Sequence, residues 1–145
     1  MIYSFLQNGD SAVTVQFKNE ISKEVNRQVT GLCNRIEAKH IDGIVELVPT
    51  FASLTVFYDC TIISSKKLKK KVEALINGKE CDVKSTAKVW NIPVCYDDEF
   101  ALDMKNVCSH TTLEREEVIK LHTSKPYLIY MLGFLPGFAY LGGMD

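Results

Sequence analysis

The sequence predicts an α+β fold: a two-layer sandwich of order β-β-α-β-β-α with one antiparallel sheet, followed by the start of a second domain. Three observations carry this reading. Apolar residues alternate with a period of two in Ala12–Phe17 and Ser53–Tyr58 and recur with a helical period in two longer stretches. The strand candidates come in pairs separated by single helices, which puts both helices on one face of an antiparallel sheet. A short polar stretch at 81–87 then reads as a linker between 1–80 and 88–145. A chain of 145 residues holds one domain or two small ones.

The first two strands are Ile2 to Leu6 and Ala12 to Phe17, the second rich in β-branched residues. Asn8-Gly9-Asp10 between them is hairpin-turn chemistry, so Asp10 is read as a turn-capping carboxylate rather than a catalytic acid. From Ile21 to His40 the period becomes helical. Ile21, Val25, Val29, Leu32, Cys33 and Ile36 fall on one face, and Ser22 or Asn19 supplies the N-cap oxygen. Burying five of these gains on the order of 10 kcal/mol before entropy, at about 1.5–3 kcal/mol each. Asp42-Gly43 ends the helix.

Ile44 to Val48 and Ser53 to Tyr58 form the next strand pair, joined through Pro49-Thr50-Phe51-Ala52. Ser64 caps a second helix through Ile76, with Leu68, Val72, Leu75 and Ile76 inward and Asn77-Gly78 ending it in the left-handed conformation. Helical spacing spreads Lys66, Lys67, Lys69, Lys70 and Lys71 mostly around the wet face, so they read as a solvated surface rather than an anion site.

Past the linker, Lys88 to Tyr96 reads as a strand with Pro93 at an edge or end. Asp97-Asp98-Glu99 reads as a solvated loop, since acids adjacent in sequence diverge and no further ligands are in view. Two short helices follow. Ala101 to Ser109 carries Leu102 and Val107 inward; Thr111 to Thr123 opens with a Thr111/Glu114 capping box and buries Leu113, Val118 and Leu121. A helix-turn-helix over this region would present Glu114, Glu116 and Glu117 to phosphates, which is electrostatically wrong. His110 and His122 sit at helix ends, where pairing with carbonyls is the default role.

Composition excludes several classes. With 46% hydrophobic and 24% charged residues the chain is an ordinary globular one, and a net charge of −1 gives no general affinity for nucleic acid or membrane. No signal peptide is expected. The five cysteines (Cys33, Cys60, Cys81, Cys95, Cys108) are odd in number and lack any C-x-x-C spacing, which argues against a disulfide framework or zinc site and for a reducing cytoplasm. There is no Walker loop, no G-x-S-x-G elbow and no H-E-x-x-H.

The stretch Tyr127 to Asp145 organises the reading of function. Tyr127 to Leu132 reads as a buried strand. It breaks into Gly133-Phe134-Leu135-Pro136-Gly137-Phe138-Ala139-Tyr140-Leu141-Gly142-Gly143, with a turn at Pro136-Gly137. Phe134, Leu135, Phe138, Tyr140 and Leu141 would form an exposed apolar patch unless covered. The loop is therefore expected to fold back on its own domain or to meet another chain. Self-association, or disorder beyond Gly133, is the corresponding expectation for the isolated chain. Its candidate contact residues are Gly133, Phe134, Pro136, Gly137, Phe138, Tyr140, Leu141, Gly142 and Gly143; no catalytic residue is identified and no metal site is expected.

Residues 131–145 resemble the signature G-F-x-P-G-F-x-Y-L-x-G-[LM]-D of the family called allophanate hydrolase subunit 1, kinase A inhibitor (KipI) or 5-oxoprolinase subunit PxpB. Gly9-Asp10-Ser11-Ala12, Asn26-Arg27, Val45 to Pro49, Ser53-Leu54, Ile92 to Tyr96 and Glu116 to His122 support the resemblance, which covers essentially the whole chain. Such proteins normally continue past the motif into a cyclophilin-like β-barrel. The resemblance thus implies that 88–145 is an incomplete start of that domain, in a fragment or a truncated product.

The resemblance implies three readings, in this order. The first is a subunit of ATP-dependent 5-oxoprolinase, which opens the lactam of pyroglutamate to glutamate with a second subunit (PxpC-like) and a third (PxpA-like). ATP would be used by the assembled complex, with no cofactor bound by this chain alone. Gly133, Gly137 and Gly142 would then bring backbone N–H groups to a carboxylate or phosphoryl oxygen. The second is an inhibitor of a sporulation histidine kinase. The third is a carboxyltransferase-like subunit acting on urea-derived allophanate.

Overall fold

The computed structural model describes residues 2–78 and 88–143. These form two compact units: residues 2–78 together with Ile129–Gly142, and 88–128 together with Gly143. The expected linker at 81–87, with Cys81, and the last two motif positions, Met144 and Asp145, lie outside the described residues.

The first unit has the predicted order. Strands β1 (Tyr3–Asn8) and β2 (Ala12–Phe17) precede helix α1 (Lys23–Lys39); β3 (Ile44–Pro49) and β4 (Ser53–Tyr58) precede α2 (Ser65–Asn77). The sheet runs β1-β2-β4-β3 and every neighbouring pair is antiparallel. The registers Phe5↔Val15↔Leu54 and Gln7↔Val13↔Val56 put the alternate residues of each strand on one face. That face meets Val25, Val29, Leu32 and Ile36 of α1 and Leu68, Val72 and Ile76 of α2 in one core. On the opposite face a polar rung crosses three strands: Asn8 Nδ2 donates to Thr14 Oγ1 (2.6 Å), which shares a hydrogen bond with Thr55 Oγ1 (2.7 Å).

Both sandwich helices start where their serines predict. Ser22 Oγ accepts from the Val25 N–H at 3.2 Å and Ser64 Oγ from the Lys67 N–H at 3.4 Å. Two details differ. Ile21 precedes the N-cap and is exposed instead of joining the helical face. Gly78 takes an extended φ of −67°, so α2 ends without a left-handed residue; α1 has one instead, at His40 (φ +42°).

The second unit departs further from expectation. Lys88 to Tyr96 is not a strand: Val89, Trp90, Ile92 and Val94 are exposed, and among the described residues the segment pairs with no sheet edge. Helix α3 runs Met104–Thr111, later than read, because turns onto the Asp97 and Ala101 carbonyls occupy the preceding residues. Leu102 is exposed and Val107 nearly half exposed. Thr112 adopts φ +59°, which ends α3 and delays α4 to Arg115–Thr123. The capping box therefore closes at Glu114 and Glu117, not Thr111 and Glu114, with the Glu114 N–H donating to Glu117 Oε2 at 3.1 Å. Leu113 and Val118 are half-buried, Leu121 is half exposed, and neither helix buries a residue fully.

The tail forms two strands, β5 (Leu128–Leu132) and β6 (Ala139–Gly142), paired as a separate hairpin. Although 88–145 reads as one domain in the sequence, Ile129–Gly142 clusters with the sandwich. Only Tyr130 of β5 is buried.

Candidate functional site: the terminal hairpin

The hairpin loop is built from two nested turns. The Leu135 N–H donates to the Gly133 carbonyl at 2.8 Å, closing a three-residue γ-turn around Phe134, whose φ is +64°. This positive-φ form of the γ-turn is rare and strained, and no glycine relieves it here. The Phe138 N–H then donates to the Leu135 carbonyl at 3.0 Å around Pro136-Gly137, where Gly137 takes φ +82°. That is the type II geometry the dipeptide predicts. The Gly133 N–H donates to the Phe138 carbonyl at 3.1 Å and locks the loop at its neck. The Gly133 N–H, expected to face a ligand oxygen, is thus already used inside the hairpin.

The base of the hairpin is held by the sandwich. Asn26, buried on α1, donates its side-chain amide to the Tyr130 carbonyl at 3.2 Å. The Tyr130 ring lies 5.4 Å from that of Phe51 in the β3–β4 turn, and Phe51 meets Tyr140 edge-on at 5.7 Å. A Cβ on Gly142 would fall 2.3 Å from Tyr130 Cε2, so this glycine lets the ring lie against backbone.

From that base an aromatic series climbs to the surface. Tyr140 contacts Phe138 at 5.3 Å, and Phe138 contacts Phe134 at 6.0 Å, both near edge-to-face. Exposure rises along the series from 8% at Tyr130 to 49% at Phe138 and 84% at Phe134. Leu135 and Pro136 are exposed at the tip and Leu141 is exposed on β6; Gly143, just past that strand, is exposed with φ +96°. The structure therefore gathers eight of the nine candidate residues on one hairpin and divides their roles, while Gly143 falls in the other unit. Tyr140 and Gly142 secure the base, Gly133 and Gly137 shape the loop, and Phe134, Pro136, Phe138 and Leu141 face outward. An anchored tip of this kind can present apolar surface to a partner or close over a ligand, but it brings no nucleophile or base of its own.

Sequence reasoning missed Asn26 as the anchor and Phe51 as its aromatic neighbour. The one available signal was that Asn26 sits immediately beside the apolar stripe of α1, where a polar side chain needs a partner. It also missed that His122 bonds the Tyr96 hydroxyl through Nδ1 rather than a helix carbonyl; His110 is exposed. Elsewhere, the Arg115 guanidinium beside Asp98 holds its carboxyl below the usual carboxylate range. Burial, then the neighbouring Glu37, pushes the Cys33 thiol up to about 11. Among the described residues, no cluster of three or more potential ligands is placed to hold a metal ion, and no helix is long and apolar enough to cross a membrane.

Comparison with known proteins gives this geometry a family. The chain is 40% identical over 153 aligned positions to the 5-oxoprolinase B subunit of Bacillus subtilis, covering 99% of this chain and 64% of the relative. It is 31% identical to the 5-oxoprolinase B subunit of Haemophilus influenzae, covering 93% and 62%. The chain thus spans somewhat under two thirds of the length of these relatives. Among solved structures, TTHA0988 superposes with a TM-score of 0.76 at 30% identity, over 92% of this chain and 25% of that one. The Kluyveromyces lactis urea carboxylase shares the fold, with a TM-score of 0.65 at 19% identity over 90% of this chain and 14% of that one. The model of the carboxyltransferase domain, subdomain C and D, matches residues 3–145, and the chain belongs to that family.

Proposed function

We propose that this chain is part of the B subunit of an ATP-dependent 5-oxoprolinase, acting in the cytoplasm, and that the tip of its terminal hairpin is a contact for a companion subunit. The relatives from Bacillus subtilis and Haemophilus influenzae are named as the B subunit of 5-oxoprolinase, which is the name of one component among several. The observation that carries the reading is Phe134: an aromatic ring 84% exposed, held out by a strained turn and backed by a chain of rings anchored to the sandwich. Exposed aromatics on a preorganised support are what interface hot spots require.

In this reading ATP is consumed by the assembled complex, in which the lactam of pyroglutamate is opened to glutamate. The PxpC-like subunit is the companion at the tip, a PxpA-like subunit completes the complex, and residues 88–145 open the cyclophilin-like domain. The test is to co-purify the full-length protein with the companion encoded next to it and assay ATP-dependent pyroglutamate turnover. Phe134→Ala and Phe138→Ala should each weaken assembly by about tenfold or more, in the range of interface hot spots. Unaltered assembly and turnover in both variants would remove the hairpin from the interface. Capture of a histidine kinase without turnover would replace the reading with the inhibitor one.

A further inference from the structure

One constellation is used by neither the sandwich nor the hairpin: Tyr96, His122 and Tyr127, all in the second unit. The Tyr96 hydroxyl is hydrogen-bonded to His122 Nδ1. The half-buried imidazole lies between two phenol rings, edge-on to Tyr96 at 5.9 Å and tilted 35° against Tyr127 at 5.7 Å. Tyr96 is fixed from its backbone as well. Arg115 donates to the Tyr96 carbonyl and pairs with Asp98. Helix α4 therefore grips 96–98 from both of its ends, with Arg115 in its first turn and His122 in its last.

This arrangement sets the tautomer. Between a phenol and an imidazole nitrogen the phenol is the better donor and the nitrogen the better acceptor, so Tyr96 donates and Nδ1 accepts. A neutral imidazole has one ring proton, which then sits on Nε2. The bond to Tyr96 occupies Nδ1 and leaves Nε2 as the second ring nitrogen. The result is a single N–H donor, fixed in direction and partly shielded from water.

We propose that His122 is a ligand-binding residue, presenting this Nε2–H to the carbonyl oxygen of an amide or lactam that lies flat along the Tyr127 ring. A fixed neutral donor in a partly desolvated site stabilises partial negative charge on a carbonyl oxygen without moving a proton. The choice of an amide or lactam carbonyl rests on the function proposed above; the donor geometry does not.

The test uses the full chain labelled with 15N, with pyroglutamate and acetamide as probes. Long-range 1H–15N correlation should show His122 as the Nε2–H tautomer, and saturating pyroglutamate should shift that nitrogen. Tyr96→Phe should mix the tautomers and weaken pyroglutamate binding about tenfold, with backbone amide shifts elsewhere unchanged; His122→Phe should abolish the binding. An Nδ1–H tautomer in the wild type overturns the inference, and so does an Nε2 that ignores both probes. If pyroglutamate moves only the amides of 133–138, the proposed function survives and this inference fails. If both probes move Nε2 while the assembled complex turns over no pyroglutamate, this inference stands and the proposed function fails.

Discussion

Asn26 reaches the main-chain carbonyl of Tyr130 across 104 positions of sequence, with its amide nitrogen 3.2 Å from the oxygen. This bond ties the first helix to the last hairpin, and both groups are buried. Asn26→Ala leaves the carbonyl unsatisfied, at a cost of about 1–3 kcal/mol. The expected outcome is local: amide exchange in the hairpin accelerates by roughly ten- to a hundredfold, while exchange in β2 and β4 stays slow. Uniform acceleration throughout the sandwich would show that the bond supports the whole unit instead.

Two glycines of the hairpin should fail for different reasons. Gly142→Ala forces a methyl into the Tyr130 ring and should cost about 1–3 kcal/mol as an overpacked contact. Gly137→Ala meets nothing within 4 Å, so its cost of about 1–2 kcal/mol comes from φ +82° alone. Thermal melts should show both losses. Only Gly142→Ala should move the NMR ring resonances of Tyr130.

Phe134→Gly should raise stability by about 1 kcal/mol, because it relieves a positive φ and gives up little burial. The same change should weaken assembly with the companion subunit. Urea denaturation and co-purification measure the two effects, and opposite signs are the expected signature of strain kept for function.

Thiol labelling should separate the cysteines. Cys60 and Cys95 are exposed, whereas Cys33 is buried and its thiol is pushed up to about 11, so little thiolate forms at pH 8. Quantitative alkylation followed by peptide mapping should find Cys60 and Cys95 modified well before Cys33. Equal rates would mean that α1 opens readily from the sheet.

Asp98 gives a pH dependence of known sign. Its folded-state pKa is lowered, first by the hydrogen bond from Arg115 and then by that charge. The contribution is therefore complete above the ordinary aspartate range and is lost as pH falls through the lowered value. NMR titration should place the Asp98 carboxyl below the ordinary aspartate range, and Arg115→Ala should raise it. The pair is exposed, so the effect should shrink in high salt.

The sandwich was legible because its signals are local and mutually consistent. Ala12–Phe17 and Ser53–Tyr58 fall where alternation predicts, and Ser22 and Ser64 start their helices as caps should. The second unit was not, because periodicity informs only where a face is buried. Trp90, Ile92 and Val94 alternate like a strand, yet they are exposed and join no sheet among the described residues. Thr112 ended a helix by a left-handed φ that its residue type does not announce. In the hairpin, the Pro136-Gly137 turn was readable, but the γ-turn at Phe134 was not, since nothing in an aromatic side chain signals positive φ.

The fit of the Tyr130 ring on Gly142 also fixes how far the tip can reach. Sliding β6 by one position would turn its side chains to the opposite face; sliding it by two would bring Tyr140 to the spot beneath a ring that tolerates no side chain. The strands cannot creep past one another to lengthen or shorten the loop. Whatever meets Phe134 therefore meets it at a height set at the foot of the hairpin, several residues away from the point of contact.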